Sequence, residues 1–333
     1  MRSPSESAFA PNADPTAYSA CALHDVARDW PQTNCYADLW IEAIASRGLA
    51  PEAMLGFTAA LDFEGDQFTF FKPPLEDIEL LYGFVVHELS IYDDLAGHIA
   101  EQCARGRLVM VETDAFHLPD TRGVSYGLQS SKTTIGVNRI DPVGGTIDYF
   151  HNEGYFRAAG ADYHGLMAFG AGGGRLKLPP YAEIVKTHRA PLDGEAMREC
   201  ARALLARHVE RRPARNPLEA FAGRLPDLIA RVSAREPEFF HKFAFNSLRQ
   251  LGANFELMGS GLAWLAAGDE FAGEIEACRA MSAGAKSFQF LLARAIVRRK
   301  TVGLEAPLAA MAETYARLFD GLTRRADALR LAS

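Results

Sequence analysis

The stretch Phe84–Phe116, FVVHELSIYDDLAGHIAEQCARGRLVMVETDAF, decides the fold class of the first half of the chain. Phe84–Ile91 is mostly apolar and predicts a strand, and Leu108–Phe116 predicts another. Between them Asp93–Arg105 predicts a helix, because acidic residues occupy its first turn and Gly106 follows its end. A strand, a helix and a second strand in this order favour one parallel pair within a sheet.

Residues on both sides of this stretch extend the sheet. Thr133–Ile140 and Thr146–Phe150 predict a hairpin, because the Asp-Pro-Val-Gly-Gly segment between them is a strong turn signal. Tyr181–Lys186 predicts a last strand, and Pro74 opens a short helix over Leu75–Tyr82. We therefore expect a mixed sheet of parallel and antiparallel strands with helices, over residues 19–190.

A different pattern begins after Pro191, where apolar residues recur with a period of 3.6 and predict a helical bundle over 191–333. The periodic stretches are Glu195–Glu210, Pro217–Val232, Glu238–Ala267, Glu270–Arg299 and Pro307–Leu331. The fold class predicted for the whole chain is therefore α+β, with a mixed sheet first and an all-helical second half. Residues 1–18 are polar and rich in Ser, Pro and Ala, and predict a disordered tail.

The composition excludes several classes of protein. The 333 residues carry a formal net charge of −7, whereas a nucleic-acid-binding domain is usually basic. No apolar run approaches the roughly 20 residues that span a bilayer, and the N-terminus lacks the apolar region of a signal peptide. The five cysteines are scattered, odd in number and without C-x-x-C spacing. Reduced thiols in the cytoplasm, with no metal site and no cofactor, are the expectation.

Cys35 is the sharpest candidate for a catalytic residue. Asn34 is positioned to cap a helix over Cys35–Arg47, which Gly48 ends. A thiol in the first turn of a helix is activated by the helix dipole and by free backbone N–H groups, so Cys35 is a plausible nucleophile. The alternative is a small packing residue, which is the interpretation that we prefer for Cys103, Cys200 and Cys278.

A nucleophilic cysteine needs a histidine as its base, and the histidine needs a polar group to orient it. His117 and His151 each follow a predicted strand, and Asn152 stands beside His151. Each histidine has the alternative of a hydrogen-bonded residue at a sheet edge. A metal site built from both histidines with Asp120 and Asp148 lacks a diagnostic spacing. The remaining histidines have no supporting context, namely His24, His87, His98, His164, His188, His208 and His241.

Two stretches of the helical half place polar side chains among small and apolar ones, Arg249–Glu256 and Met281–Gln289. One interpretation is a hydrogen-bond network between helices. The other is a substrate pocket facing the α/β half, because pockets favour the places where domains meet. The predicted substrate-binding residues are Asn34, Asp114, Arg249, Asn254, Lys286 and Gln289.

Five motifs resemble a bacterial family, the one catalogued as domain of unknown function 1839. The similarity covers nearly the whole chain after residue 20. The motifs are NCYADLWIE from Asn34, TDAFHLPD from Thr113, KTTI from Lys132, YFHNEGY from Tyr149 and GAKSFQ from Gly284.

The chain is also distantly similar to papain-like cysteine acyltransferases of the butirosin type, which move an acyl group from a carrier protein to an amine. This resemblance implies a Cys35 thioester, with His151 or His117 as base and Asn152 as third member. It implies two partners, an acyl or peptidyl carrier protein and a small amine, between which an acyl or aminoacyl group is transferred. It implies no binding to nucleic acid or to a membrane. The histidine that such sites place before the central strand is absent, because serines precede Lys132. A non-catalytic binding or scaffold protein on a degenerate fold is therefore the alternative.

Overall fold

The computed structural model describes residues 9–168, 179–298 and 303–331. The chain divides into two compact units, and each unit draws on several stretches of sequence. The first consists of residues 1–25, 34–51 and 78–191, and the second of 26–33, 52–77 and 192–333. The sequence predicted a single boundary near residue 190, and it did not separate the two short stretches that belong with the helices.

The first unit is built on a sheet of six strands, in the order β1-β6-β2-β3-β4-β5. The strands are β1 Phe84–Glu88, β2 Leu108–Asp114, β3 Lys132–Asp141, β4 Thr146–His151, β5 Gly154–Ala159 and β6 Ala182–Thr187. The predicted α+β class and the hairpin of β3 and β4 are confirmed. The sequence missed β5, which pairs with β4 through a tight turn.

Every pairing in this sheet is antiparallel, so the predicted parallel pair, and with it the mixed sheet, is wrong. The strands β1 and β2 flank the predicted helix as expected, but β6 lies between them. Val85 of β1 pairs with Lys186, and Leu108 of β2 pairs with Val185, so both strands run against β6. The residues of β6 lie about 70–100 positions further along the chain than their partners in β1 and β2, and local patterns do not reveal pairing over such separations.

Two helices pack on opposite faces of the sheet. The helices of the first unit are α1 Cys35–Ala45, α3 Leu95–Ala104, α4 Ala161–Met167 and part of α2 Leu75–Tyr82. Ile99 of α3 packs with Val109, Val111 and Ile135 in one apolar cluster, which defines the α3 face. On the other face Leu39 of α1 lies against Gly136, where an added Cβ would meet its methyl groups. We call this second surface the α1 face.

The second unit is helical, as predicted. Its helices are α5 Gly194–Glu210, α6 Pro217–Ser233, α7 Phe239–Asn246, α8 Leu248–Leu265, α9 Ala272–Arg298 and α10 Glu305–Leu331. The stretch predicted as one helix over Glu238–Ala267 is two helices, because the backbone leaves the helical conformation at Ser247. In the part of the chain that is described, no helix has both the length and the apolar composition that a bilayer span needs.

The N-terminal segment packs more tightly than a tail. Residues 1–8 of the predicted tail lie outside the described residues. Phe9 and Ala10 are buried, and their backbone N–H groups both donate to the side-chain oxygen of Asn138 on β3. Because a buried N–H group needs an acceptor, Asn138 fixes this segment to the sheet.

Candidate functional site

Four side chains on the α3 face form a buried chain of hydrogen bonds. Thr133 Oγ1 lies 2.8 Å from His151 Nε2, and His151 Nδ1 lies 2.5 Å from Asp120 Oδ2. The hydroxyl of Tyr149 donates to the other oxygen of Asp120 at 2.6 Å. We call this set the Thr133 relay.

The sheet register explains why the members of the Thr133 relay meet. Gly136 pairs with Phe150, so His151 stands across from Ile135, and Thr133 lies one diagonal step away on the same face. Tyr149 lies two residues before His151 and therefore also on the α3 face. Asp120 reaches them from a 3-10 turn, Pro119–Thr121, that follows β2.

The partners of His151 assign the roles of its two nitrogens. A carboxylate only accepts hydrogen bonds, so Nδ1 carries the proton that is donated to Asp120. In the neutral ring Nε2 is then the acceptor, and the Thr133 hydroxyl donates to it. A hydroxyl, an imidazole and a carboxylate linked in this order are the parts of a nucleophile–base–orienter arrangement. Burial and the neighbouring Asp120 raise the pKa of Tyr149 far above its usual value, which keeps its hydroxyl protonated as a donor.

Cys35 lies on the other side of the sheet. It is the first residue of α1 and is half-buried. Tyr36 beside it donates to Glu183, which pairs with Met110 and so belongs to the α1 face. The hydrogen bonds among the described residues do not link Cys35 to a histidine, so its pairing with His151 or His117 stays a prediction.

A second buried histidine network lies within the first unit, around His24. Its Nδ1 is 2.5 Å from Glu42 Oε1 and its Nε2 is 3.3 Å from Asp38 Oδ1. Tyr18 and the backbone N–H of Cys21 also donate to Glu42. Burial alone would lower the pKa of His24, but the hydrogen bonds and charges of Asp38 and Glu42 outweigh it and raise the pKa to about 9.

The other predicted residues of the α/β half have mainly backbone contacts. Asn34 caps α1, as predicted, by accepting a hydrogen bond from the N–H of Ala37 at 2.9 Å. Asp114 accepts from the N–H groups of Phe116 and Ser131, at 3.0 Å each. Burial would raise the pKa of Asp114, but these hydrogen bonds lower it overall. The one hydrogen bond of Asn34 and the two of Asp114 all stabilise the local backbone.

His117 and Asn152 occupy turns. The ring of His117 lies so close to Gly165 of α4 that an added Cβ there would overlap it. Asn152 has a positive φ of 44° in the turn between β4 and β5, a conformation that asparagine tolerates better than most residues. Asp148, which was considered as a metal ligand, is instead bonded to the guanidinium of Arg157 at 2.6 and 2.8 Å.

The polar residues predicted in the helical half bond to segments of the second unit itself. Arg249 donates to the backbone oxygen of Gln32, Asn254 to that of Thr58, and Lys286 to that of Asp29. The amide oxygens of Asn254 and Gln289 are buried and have no partner among the described residues. These three side chains therefore hold the stretches 26–33 and 52–77 to the helices, and both the predicted network between helices and a role in binding substrate stay predictions.

Sequence reasoning missed Thr133, Tyr149 and the network around His24. Thr133 has no motif around it that signals a nucleophile. His24 has no informative neighbours in the sequence, but Asp38 and Glu42 carry a signal, because they lie four residues apart on one face of an otherwise apolar helix. Two buried acids on one face require a cation nearby.

Comparison with protein families matches both halves of the chain. The model described as the DUF1839 N-terminal domain matches residues 19–187, and that of the DUF1839 C-terminal domain matches residues 194–324. No curated protein matches the chain. Since the two matched regions cover most of its length, the chain belongs to the DUF1839 family.

Proposed function

We propose that the chain is an acyl-transfer enzyme in which His151 is the general base and the hydroxyl of Thr133 is the nucleophile. The observation that carries the proposal is the pair of contacts at His151, 2.8 Å to Thr133 Oγ1 and 2.5 Å to Asp120 Oδ2. The first distance is within the range of about 2.6–3.2 Å at which a base abstracts a proton, and the second joins His151 to the carboxylate that orients it.

The reaction consists of two acyl transfers, first from the thioester to Thr133 and then from Thr133 to the amine. Thr133 Oγ1 attacks the carbonyl carbon of an acyl thioester while its proton passes to His151 Nε2. The carbon–sulfur bond breaks, and the departing thiolate takes that proton, which leaves an ester on Thr133. An amine then attacks the ester and loses its proton to Nε2. The bond between the acyl carbon and Thr133 Oγ1 breaks, and that proton passes to Oγ1, which restores the hydroxyl as the amide forms. Asp120 stabilises the imidazolium that appears in both steps.

The surroundings of the Thr133 relay support this assignment. The side chain of His151 is 1% exposed and that of Asp120 is 5% exposed, so little water competes with their hydrogen bond. Thr133 directly follows the exposed residues Ser131 and Lys132 at the start of β3. Thr133 itself is buried, at 7% exposure, so its hydroxyl is shielded from water together with His151 and Asp120.

Cys35 is the second candidate nucleophile for the same reaction. Its place at the first position of α1 is where a helix dipole stabilises a thiolate, and this supports Cys35 as a nucleophile. The donor in either route is an acyl or peptidyl carrier-protein thioester and the acceptor a small amine. The free cysteines among the described residues support a cytoplasmic location.

Intact-protein mass spectrometry after incubation with a panel of acyl thioesters tests the proposal. The variants are Thr133→Val, which removes the hydroxyl and keeps the shape, and Cys35→Ala. We expect an acyl adduct on the wild-type protein and on Cys35→Ala, and none on Thr133→Val. The ester bond to threonine should also resist neutral hydroxylamine, which cleaves thioesters.

Two other outcomes contradict the assignment in different ways. An adduct that disappears in Cys35→Ala and persists in Thr133→Val moves the nucleophile to Cys35. No adduct on any of the three proteins, with carrier-protein donors included, rejects acyl transfer. The Thr133 relay is then a structural network, and the binding or scaffold function takes its place.

A further inference from the structure

A cavity of about 570 Å³ opens beside the edge strand β1 in the first unit. Strands β1 and β6 and the turn from α3 to β2 supply most of its walls. Its volume falls within the range of roughly 300–1,000 Å³ that is usual for small-molecule sites. The lining residues are Glu79, Val85, His87, Arg105, Gly106, Arg107, Lys186, Thr187 and His188.

The lining of this cavity is basic although the chain as a whole is acidic. Arg105, Arg107 and Lys186 face a single carboxylate, that of Glu79, and two histidines stand beside them. The formal net charge of the chain is −7, so its overall field repels anions. Attraction of an anion to this cavity must therefore come from the local cations.

The cationic side chains that line the cavity have few hydrogen-bond or ion-pair partners within the protein. Arg107 donates from Nη1 to the side-chain oxygen of Gln102 at 2.5 Å, and its other nitrogens remain for a ligand. Arg105 pairs with Glu101 on the same helix end, but both side chains are more than half exposed, and such pairs stabilise little. Among the described residues Lys186 takes part in no ion pair.

We propose that this cavity binds a small molecule through a phosphate or diphosphate group. The planar fork of a guanidinium matches the oxygens of a phosphate, and two arginines here flank Gly106, whose φ of 78° makes the turn between them. Three cations suit a group with two or more negative charges better than a single carboxylate. The volume beyond that group leaves room for an organic part against Val85 and Thr187.

This site is independent of the proposed acyl transfer. The Thr133 relay is carried by β3 and β4, whereas the cavity is lined from β1 and β6, on the far side of β2. Failure of one proposal therefore leaves the other standing.

Isothermal titration of the full chain with pyrophosphate, at constant ionic strength, tests the site. The double variant Arg107→Gln/Lys186→Gln should bind about tenfold more weakly or worse, because it removes two of the three cations. Glu79→Gln should bind more tightly, by about twofold, since it removes the opposing charge. The matched control is Arg122→Gln, an exposed arginine elsewhere in the unit, whose affinity should equal that of the wild-type protein.

Parallel titrations separate the possible ligands. Adenosine diphosphate that binds more tightly than pyrophosphate assigns the rest of the cavity to an organic group, and equal affinity assigns the site to the diphosphate alone. The proposal is overturned if wild-type protein shows no binding at millimolar pyrophosphate. It is also overturned if the double variant binds as the wild type does, or if malonate and sulfate bind equally well.

Discussion

Two buried histidines of the first unit have opposite chemical characters because their partners differ. His24 lies between the carboxylates of Asp38 and Glu42, so both ring nitrogens donate, and its pKa is raised to about 9. His151 lies between one carboxylate and one hydroxyl, so in its neutral form one nitrogen donates and the other accepts. Burial is similar for both, at 3% and 1% exposure, and therefore does not decide the role.

The difference separates a stabilising cation from a candidate base. A histidine that holds two buried acids together must stay protonated, and moving its proton would leave uncompensated charge in the core. A histidine that accepts from a hydroxyl has a lone pair directed at a reactive group. The first unit thus uses His24 to hold α1, and His151 is the residue that we propose as the base.

Removing the His24 side chain should have the largest effect. We expect His24→Leu to lower the free energy of unfolding of the first unit by about 3–5 kcal/mol, because Asp38 and Glu42 lose the cation that they share. His151→Leu should cost less, about 2 kcal/mol, since Asp120 keeps its hydrogen bond from Tyr149. Guanidinium unfolding followed by hydrogen exchange in α1 and β4 peptides measures both.

The exposed His164 offers a matched control for these variants. His164→Leu should change the free energy of unfolding by no more than about 0.5 kcal/mol. Equal losses for His24→Leu and His151→Leu would contradict the distinction between the two networks.

The second-largest effect that should distinguish the two histidines is the pH dependence of stability. The pKa of His24 is raised in the folded state, so its contribution is complete below pH 6.5 and is lost as pH rises towards about 9. The rise from 6.5 to about 9 corresponds to roughly 3 kcal/mol. Unfolding midpoints across this window should fall in the wild-type protein, and the fall should be smaller in His24→Gln. A parallel fall in both proteins would assign the effect to other groups.

Thr133→Val should cost little stability while it abolishes the adduct. The valine leaves the acceptor Nε2 of His151 without a donor, which costs about 1–2 kcal/mol. Hydrogen exchange in the β3–β4 hairpin should report this small loss. A loss as large as that of His24→Leu would show that the Thr133 relay holds the fold together, and it would weaken the catalytic interpretation.

The smallest expected change in stability comes from removing the helix caps on the two faces of the sheet. Asn34 caps α1 and Asp94 caps α3, each accepting from the N–H of the third helical residue. Asn34→Ala should cost about 1 kcal/mol, and Asp94→Ala somewhat less because its hydrogen bond is exposed. Circular dichroism during thermal unfolding measures both. A larger loss from Asp94→Ala would mean that burial of the cap does not matter here.

Local patterns predicted the helices and strands well and the sheet topology poorly. The asparagine before Cys35 marked the start of α1, and apolar runs marked β2, β3 and β6 within a few residues. Strand order depends on which segments meet in space, so the insertion of β6 between β1 and β2 had no local signal. The backbone break at Ser247 was equally invisible, because the apolar period continues through it.

The candidate site was predicted in part. His151 was singled out from its place at a strand end, but the expected neighbour Asn152 is a turn residue. Its partners stand 18 and 31 residues earlier in the chain, at Thr133 and Asp120. Hydrogen bonds between residues so far apart in the chain depend on the sheet register and on the turn after β2. Neither feature can be read from the local pattern of a single sequence.

The protonation of the two histidine rings is the most direct test of this account. Nitrogen NMR of protein labelled at histidine, recorded at neutral pH with His24→Gln and His151→Gln for assignment, reports which ring nitrogens carry protons. We expect both nitrogens of His24 to be protonated, and His151 to carry its proton on Nδ1 with Nε2 as an acceptor. A neutral His24, or a His151 with its proton on Nε2 alone, would contradict the assignment of cation and base.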